Sequence, residues 1–322
     1  MGKELGYTQG GLPRVCARIR GSAIGGGMIV IEQLRYVRLG TRDLAAASDF
    51  AQHILGLEPT ERTDAQAAFR SDSRDLTLVF VADEARAQTI GLQVRDEDAL
   101  DHAASLLVRT GHQVLPGDPE TAARRKVKSL LSFSSENGVS VDLVVRPLHS
   151  GWRYFPSRDA GVTGLEAVAL RAKTIDKSEN LWTKIIAGRV SDWVGDAAYI
   201  RFDGAHHRLS LHPSSTSGIL AVEFAVESVD QLMRSSYFLQ ERQVRIVHGP
   251  GRRPASQQIF LTFAGPDGVL FSYVSEGRTI DESDHRPRQF PRRAHSFCAW
   301  GSRSEVPEFN PDTTLCKERG RA

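Results

Sequence analysis

Hydrophobic and polar residues alternate in two short segments of the chain that lie 131 positions apart. Residues 34–39 (LRYVRL) and residues 165–170 (LEAVAL) have the period of a half-buried strand, and a helical pattern follows each, at residues 44–55 and 175–186. Similar residues recur 130 positions apart elsewhere: Gln113-Val114 with Gln243-Val244, Phe133 with Phe263, and Asn137-Gly138-Val139 with Asp267-Gly268-Val269. The pattern therefore predicts an internal duplication.

Each half divides again into two modules, which begin near residues 32, 88, 163 and 218 with a strand, a helix and further strands. The Asn-Gly and Asp-Gly pairs predict hairpins, because glycine tolerates a positive φ. A βαβββ unit leaves one sheet face uncovered, so paired units would curl around a shared cavity. The predicted fold is α+β, with four βαβββ modules paired into two barrel-like domains at residues 29–148 and 163–278. A duplicated α+β domain without a functional cavity explains the repeat equally well.

The two ends of the chain differ from the repeated region. Residues 1–28 are rich in glycine and arginine and contain three consecutive glycines just before Met28. We expect this segment to be a disordered or non-native extension. Residues 279–322 are polar and rich in proline and arginine, which predicts an irregular tail.

Composition narrows the classes of partner. The 322 residues carry a net charge of +2, which gives no reason to expect a nucleic-acid or membrane partner. No apolar run reaches the roughly 18 residues that a membrane-spanning helix needs. The three cysteines (Cys16, Cys298 and Cys316) form no CxxC pair, so neither a disulfide framework nor a zinc site is expected. A reducing, cytoplasmic location is the corresponding prediction.

Several short motifs occur in a characteristic order across the two halves. They are Asp72-Ser73-Arg74, Arg124-Arg125, Leu130-Leu131-Ser132-Phe133, Val162-Thr163-Gly164-Leu165, Ala205-His206-His207-Arg208-Leu209, Gly249-Pro250-Gly251-Arg252, Gly265-Pro266-Asp267-Gly268 and Trp300-Gly301. Through them, residues 32–301 resemble the type I extradiol ring-cleaving dioxygenases of the vicinal oxygen chelate superfamily, such as the 2,3-dihydroxybiphenyl 1,2-dioxygenases, which have the glyoxalase and bleomycin-resistance fold. The resemblance implies a role in aromatic-compound metabolism, a small aromatic ligand and a homo-oligomer.

That family binds iron(II) through two histidines and one glutamate of the C-terminal half, with open positions for substrate and dioxygen. The resemblance aligns these ligands with Ala167, Ala221 and Ser272. Alanine has no lone pair to donate, and a serine hydroxyl is a poor ligand for iron(II). We therefore predict that the three positions converge in the C-terminal cavity without binding iron, and that the protein has no metal cofactor.

Other family positions provide the candidate catalytic and substrate-binding residues. His207 aligns with the acid/base histidine of the family and is the main catalytic candidate. Arg253 and Thr262 stand where the family has a substrate-binding histidine and tyrosine, and Tyr273 follows the position of the lost glutamate. His207, Arg253, Thr262 and Tyr273 are therefore the predicted substrate contacts. His206 is expected to face the surface or a module boundary, because neighbouring strand residues point in opposite directions.

Glu223 is a further candidate, because it lies two residues beyond Ala221 and so shares its face of the strand. A buried carboxylate needs a partner, and we predict that Arg253 pairs with it and that His207 lines the same cavity. The pair is either a new acid/base site, with Glu223 and Arg253 joining His207 in catalysis, or a structural salt bridge that fills the space of the lost metal. His212 and His248 do not have ligand-like spacing.

These residues allow three functional hypotheses. The first is a protein that binds or transforms an aromatic compound or a ring-cleavage product without iron, with His207 moving a proton. The second is a non-catalytic protein that sequesters ligands or pairs with an active relative. The third is an extradiol dioxygenase with an unfamiliar site, which would need a substitute redox centre.

Overall fold

A computed structural model describes residues 27–313. The predicted extension at residues 1–28 lies outside the described residues except for its last two positions, as do Cys16 and Cys316. Within the described range no helix is long and apolar enough to cross a membrane.

The N-terminal half contains eight strands and three helices. Its strands are β1 (Gln33–Thr41), β2 (Glu58–Arg62), β3 (Gln66–Arg70), β4 (Leu78–Ala82), β5 (Gln88–Gln93), β6 (Val114–Pro116), β7 (Ser129–Ser134) and β8 (Ser140–Val145). Its helices are α1 (Leu44–Asp49), which continues as a π-helical turn over Phe50–Ile54, α2 (Glu97–Arg109) and α3 (Pro119–Arg124).

The C-terminal half repeats this arrangement. Its strands are β9 (Val162–Ala172), β10 (Arg189–Val194), β11 (Ala197–Arg201), β12 (Leu209–Pro213), β13 (Gly218–Val226), β14 (Ile246–Arg252), β15 (Ile259–Ala264), β16 (Leu270–Ser275) and β17 (Arg288–Phe290). Its helices are α4 (Ile175–Asn180), followed by a π-helical turn over Leu181–Ile185, α5 (Val229–Glu241) and α6 (Ala294–Phe297).

The strand order confirms the α+β fold with two repeated halves. The first sheet has the order β2-β3-β4-β1-β5-β8-β7-β6, and the second has the order β14-β15-β16-β13-β9-β12-β11-β10-β17. In each half, the opening strands of the two modules lie side by side and antiparallel, β1 with β5 and β9 with β13. Each opening strand also pairs in parallel with the last strand of its own module. Two βαβββ modules therefore share one sheet.

The two faces of each sheet have different environments. On β13, Val222 and Phe224 belong to the large hydrophobic core, which includes residues from both halves and from the helices. Glu223 lies between them in sequence and points to the other face, because side chains alternate along a strand. The core also joins the halves, since the Phe50 ring packs 5.1 Å from that of Phe271. The face opposite the large core is therefore where polar chemistry can be placed.

The C-terminal tail contains three short regular elements and is otherwise irregular over its described residues. β17 pairs in parallel with β10, and α6 is followed by a 3₁₀ turn at Pro307–Phe309. Phe297, Cys298 and Phe309 are buried. The tail therefore packs on the C-terminal half through a few apolar side chains that polar residues separate in the sequence.

A single aromatic ring fills the centre of the N-terminal half. The Tyr36 hydroxyl donates a hydrogen bond to Asp142 Oδ2 at 2.8 Å, and the Ser132 hydroxyl donates to Oδ1 of the same carboxylate at 2.6 Å. To reach Asp142, the ring passes over Gly91, where an added Cβ would lie 2.4 Å from Tyr36 Cζ. Gly91 is therefore required by the close approach of the ring.

We expect Gly91→Ala to lower the free energy of unfolding by about 1–3 kcal/mol, because the new methyl group must displace a tightly packed ring. Gly151→Ala is the matched control, since nothing lies within 4 Å of its added Cβ, and it should change stability by less than about 0.5 kcal/mol. Urea denaturation of both variants provides the measurement. Equal stability of the two would contradict this packing of Tyr36.

Candidate active site

The centre of the C-terminal half is a row of side chains across neighbouring strands. Glu223 on β13 lies opposite Ala167 on β9 and opposite Ser272 on β16. Ser272 in turn lies opposite Thr262 on β15, and their hydroxyl oxygens are 2.8 Å apart. Residues in register on adjacent strands point to the same face, so these four side chains share one wall.

Ala221 does not lie in this row. Its partners are Ala169 on β9 and Leu270 on β16, one step further along the same face. Ala167, Ala221 and Ser272 therefore share one face of the sheet without sharing one row, and their convergence on a single spot stays a prediction. The position between Ala167 and Ser272 is occupied by Glu223.

Glu223 and Arg253 form a buried bidentate ion pair, as predicted. Arg253 Nη1 lies 2.9 Å from Glu223 Oε2, and Nη2 lies 2.8 Å from Oε1. Arg253 also packs over the Phe260 ring and donates a hydrogen bond to Gln258 Oε1 at 3.1 Å. Burial alone would raise the pKa of Glu223, but Arg253 and His207 outweigh it and hold that pKa well below its usual range.

A chain of polar contacts leads from Glu223 to the surface. His207 Nε2 lies 3.7 Å from Glu223 Oε2, and His207 Nδ1 lies 3.2 Å from His206 Nδ1. His206 Nε2 is 3.0 Å from Asp192 Oδ2, which Arg288 also binds at 2.7 Å. His206 is therefore buried, and its predicted surface position is wrong, because both histidines lie in the loop before β12 and do not alternate as on a strand.

This chain constrains the protons of the two imidazoles. If His206 Nε2 donates to the Asp192 carboxylate, His206 Nδ1 accepts a hydrogen bond from His207 Nδ1. The other ring nitrogen of His207, Nε2, then lies on the side of Glu223. That nitrogen is buried and has no hydrogen-bond partner among the described residues. Burial lowers the pKa of His206 to about 4 despite the opposing effect of Asp192, so His206 is neutral at physiological pH.

A small closed cavity adjoins the Glu223–Arg253 pair. Its volume is about 20 Å³, which is room for about one water molecule. The sheet side of its wall carries Tyr199, Ser210, His212 and His248 together with the pair, whereas His207 stands behind Glu223 and does not line it. The prediction that His207 faces the cavity is therefore wrong in this closed arrangement, because the Tyr199 ring packs edge-on against the imidazole, with 4.9 Å between ring centroids.

Two segments of the tail close the cavity, and we call them the C-terminal cap: α6 and the 3₁₀ turn Pro307–Phe309. Phe297 and Phe309 form its inner surface. The Phe309 ring packs edge-on against His212 at 5.3 Å and stacks on His248 at 5.8 Å. Glu308 anchors the turn through Arg171 at 3.0 Å and Ser214 at 2.7 Å.

Tyr273 does not reach the cavity. Its hydroxyl donates to the backbone carbonyl of Ile54 at 2.9 Å and accepts from Arg158 at 2.9 Å, on the core side of the sheet. The predicted substrate contact is wrong because Tyr273 neighbours Ser272 on β16 and so points to the opposite face. Thr262 is on the cavity face, but its hydroxyl is engaged with Ser272.

The donor set at this site does not fit iron(II). The methyl groups of Ala167 and Ala221 supply no lone pair, the Ser272 hydroxyl is paired with Thr262, and both oxygens of Glu223 are bound by a guanidinium. Within residues 27–313, no group of three histidine, cysteine or acidic side chains has a geometry that could hold a metal ion.

Comparison with known proteins shows to which superfamily the two repeated halves belong. Residues 33–142 and 164–273 each match the Glyoxalase/Bleomycin resistance protein/Dioxygenase superfamily. The chain belongs to this superfamily. It is 31% identical over 270 residues to a biphenyl-2,3-diol 1,2-dioxygenase of Metapseudomonas furukawaii, covering 79% of this chain and 89% of that protein. It is 24% identical to the protein of the same name from Paraburkholderia xenovorans, covering 79% and 90%.

Solved structures of the superfamily have the same fold. A halotolerant catechol dioxygenase superimposes with a TM-score of 0.78 at 20% identity, covering 88% of this chain and 98% of that one. A Mn(II)-bound glyoxalase from Novosphingobium aromaticivorans also superimposes with a TM-score of 0.78, at 22% identity and with 89% and 96% coverage. At this level of identity, the likeness concerns the fold alone.

Sequence reasoning missed several residues that form the cavity of this superfamily member. Tyr199 and Ser210 lie on β11 and β12, and the alternation Leu209-Ser210-Leu211-His212 was a signal that Ser210 and His212 share the cavity face. Phe297 and Phe309 gave a weaker signal, as isolated aromatic residues in a polar tail.

We expect Glu223→Gln and Arg253→Met each to lower the free energy of unfolding by about 3–5 kcal/mol, because each change leaves one buried charge without its partner. The double variant Glu223→Gln/Arg253→Met should lose less stability than the sum of the losses in the two single variants. Glu120→Gln, which removes a charge from an exposed pair with Arg124, is the control and should change little. Additive losses in the double variant would show that the pair is not coupled.

We expect acid to destabilise the protein from about pH 6.5 downwards. The buried histidines stay neutral in the folded protein, whereas the same histidines bind protons in the unfolded chain. Burial, and for His212 also Arg253, lowers the pKa of His206 to about 4 and that of His212 to about 3. Their contribution to stability is present above the unfolded pKa and is lost as the pH falls towards these values. The lowered pKa of Glu223 acts in the same direction, below about pH 4.3.

His212→Asn should reduce this loss by up to about 1.4 kcal/mol per pH unit. His149→Asn, at an exposed position, is the control. Urea denaturation of both variants and the parent protein across this pH range gives the comparison. An unchanged pH slope in His212→Asn would mean that this histidine is not buried in its neutral form.

Proposed function

We propose that the C-terminal half binds a small aromatic compound, or a product of aromatic ring cleavage, without iron. The observation that carries the proposal is the imidazole of His212, which lines the cavity beside the Glu223–Arg253 pair and whose buried Nδ1 has no hydrogen-bond partner among residues 27–313. Buried polar atoms nearly always have a hydrogen-bond partner, so a polar group of a bound molecule is the natural partner for this nitrogen.

The aromatic character of the ligand is supported by two features. The relatives at 31% and 24% identity are named for action on biphenyl-2,3-diol. The rings of Tyr199 and Phe297 line the cavity and offer stacking surfaces next to the charged pair. An aromatic ring would lie among these rings, with its polar end towards Arg253.

Ligand entry requires a movement of the C-terminal cap. Cavities that take benzene are on the order of 150 Å³, far larger than the closed cavity here. Displacement of Phe309 from His212 and His248 would extend the cavity into the space that the ring occupies. The measured affinity would therefore include the cost of opening the cap.

His207 and Glu223 define what the site could do to a bound ligand. An imidazole beside an ionised carboxylate would support proton transfer but no redox step. Binding without turnover is the use that the closed geometry favours, because His207 stands behind Glu223.

A second function, as an inactive partner of an active relative, is favoured by the cap itself. Its anchor, Glu308 with Arg171 and Ser214, holds the cavity shut by a buried ion pair rather than by a loose loop. A protein that never admits a ligand would preserve such a closure.

We expect protein purified without chelators to contain far less than one iron per chain, and to bind 2,3-dihydroxybiphenyl without cleaving it. Phe309→Ala should bind this compound roughly 10-fold more tightly than the parent protein, because opening the cap no longer costs the stacking contacts of the ring. Phe155→Ala removes an exposed ring from the segment between the halves and is the control. Titration calorimetry and metal analysis give the readouts.

The alternative functions predict different results in these measurements. Stoichiometric iron together with a coloured ring-cleavage product would overturn the proposal in favour of a dioxygenase. Failure of both the parent protein and Phe309→Ala to bind aromatic diols or their cleavage products would favour the inactive-partner function. Turnover that is lost in His207→Ala would establish proton-transfer catalysis.

A further inference from the structure

A second, larger cleft lies in the N-terminal half, on the face of its sheet that is opposite the large core. Its volume is about 300 Å³, and it is open to the surface. Arginines at positions 38, 86 and 125 line it, together with the polar residues Thr89 and Ser140. The cleft therefore combines positive charge with space for a small molecule, whereas the C-terminal cavity is closed.

Arg38 is the central residue of this cleft. It is only 7% exposed, yet among residues 27–313 no carboxylate lies within 4.0 Å of its guanidinium. Its one hydrogen bond in this range is a long one, 3.4 Å from Nη1 to Gln66 Oε1. A guanidinium has five N–H donors, so most of those of Arg38 have no acceptor among the described residues, and the side chain lines the cleft. A buried charge without a counterion is costly, and an anion in the cleft would supply the missing partner.

The nearby acidic residues do not neutralise Arg38. Asp142 is paired with Arg125 at 3.0 Å, and its oxygens also accept hydrogen bonds from Tyr36 and Ser132. At the rim, the exposed charges of Arg86 and Asp83 are equal and opposite, so together they add no net charge to the cleft. One positive charge, that of Arg38, is therefore left over at the buried end of the cleft.

The duplicated half shows that the fold does not require polar residues here. Arg38, Thr89 and Ser140 lie in register on β1, β5 and β8. The related row on β9, β13 and β16 consists of Ala169, Ala221 and Leu270, and Phe309 of the cap packs on it. The N-terminal row is thus polar and open where its C-terminal counterpart is apolar and covered.

We propose that this cleft binds a small oxyanion, a carboxylate or phosphate group held by the Arg38 guanidinium, with Arg125, Thr89 and Ser140 around it. The planar guanidinium fork matches two oxygens of such a group, and the interaction is strong when the pair is shielded from water. The cleft has the volume of a small-ligand site. Burial and the neighbouring Arg125 lower the pKa of Arg38 to about 10, so the side chain still carries its charge at neutral pH.

Titration calorimetry of the full chain at low ionic strength with acetate, benzoate and inorganic phosphate tests the proposal. At least one of these anions is expected to bind in the millimolar range or more tightly, and Arg38→Gln should weaken that binding by at least about 10-fold. Arg124→Gln makes the same charge change outside the cleft and should alter the affinity by less than about twofold. The anion that binds identifies the oxyanion as a carboxylate or a phosphate.

A thermal melt with and without the bound anion keeps the test independent of any folding defect. The anion should raise the melting temperature of the parent protein and of Arg124→Gln, but not that of a folded Arg38→Gln. If Arg38→Gln does not fold, Ser140→Ala replaces it and should weaken binding while leaving the fold intact. The proposal is overturned if none of the three anions binds the parent protein, or if the cleft variant that is tested binds as tightly as Arg124→Gln.

Discussion

The buried ion pair between Glu223 and Arg253 holds the polar cluster of the C-terminal half together. Each charge would be unfavourable alone at this depth, and each is stabilised by the other. The positive charge of Arg253 also helps to keep His212 and His248 neutral, by lowering their pKa values. Because these neutral rings can pack against Phe309, the closed state of the cavity depends on the same pair.

The small side chains on this part of the sheet and the closure of the cavity are physically linked. Ala169 and Ala221 leave room above the sheet, and Phe309 occupies it in one apolar cluster with Leu270. A larger side chain at either alanine would compete with the ring for this space. The cap therefore fits the space above these two alanines.

The two halves use one fold around different centres. In the N-terminal half, a large tyrosine opposite a glycine reaches an aspartate, and the ring fills the middle of the sheet. In the C-terminal half, Ala167 lies opposite Glu223, and Arg253, the first residue after β14, completes the site with its long side chain. Complementary sizes across the strands keep both centres packed, so the duplicated scaffold can carry a closed cavity beside a buried ion pair in one half and an open cationic cleft in the other.

The sequence by itself predicted the repeated α+β fold, because period-two alternation and a 130-residue repeat can be read from the chain alone. It also predicted the contact between Glu223 and Arg253, from the alternation that places Glu223 on the face of Ala221 and from the family position of Arg253. Ala167 and Ser272 were predicted to face one cavity. Only the tertiary structure decided that Glu223 rather than Ala221 lies between them, since bulges shift the pairing of β9 with β13. It likewise decided that His206 is buried, that Tyr273 faces the core and that Phe309 caps the cavity. These outcomes depend on strand register and on contacts between distant segments, which the pattern of a single segment does not encode.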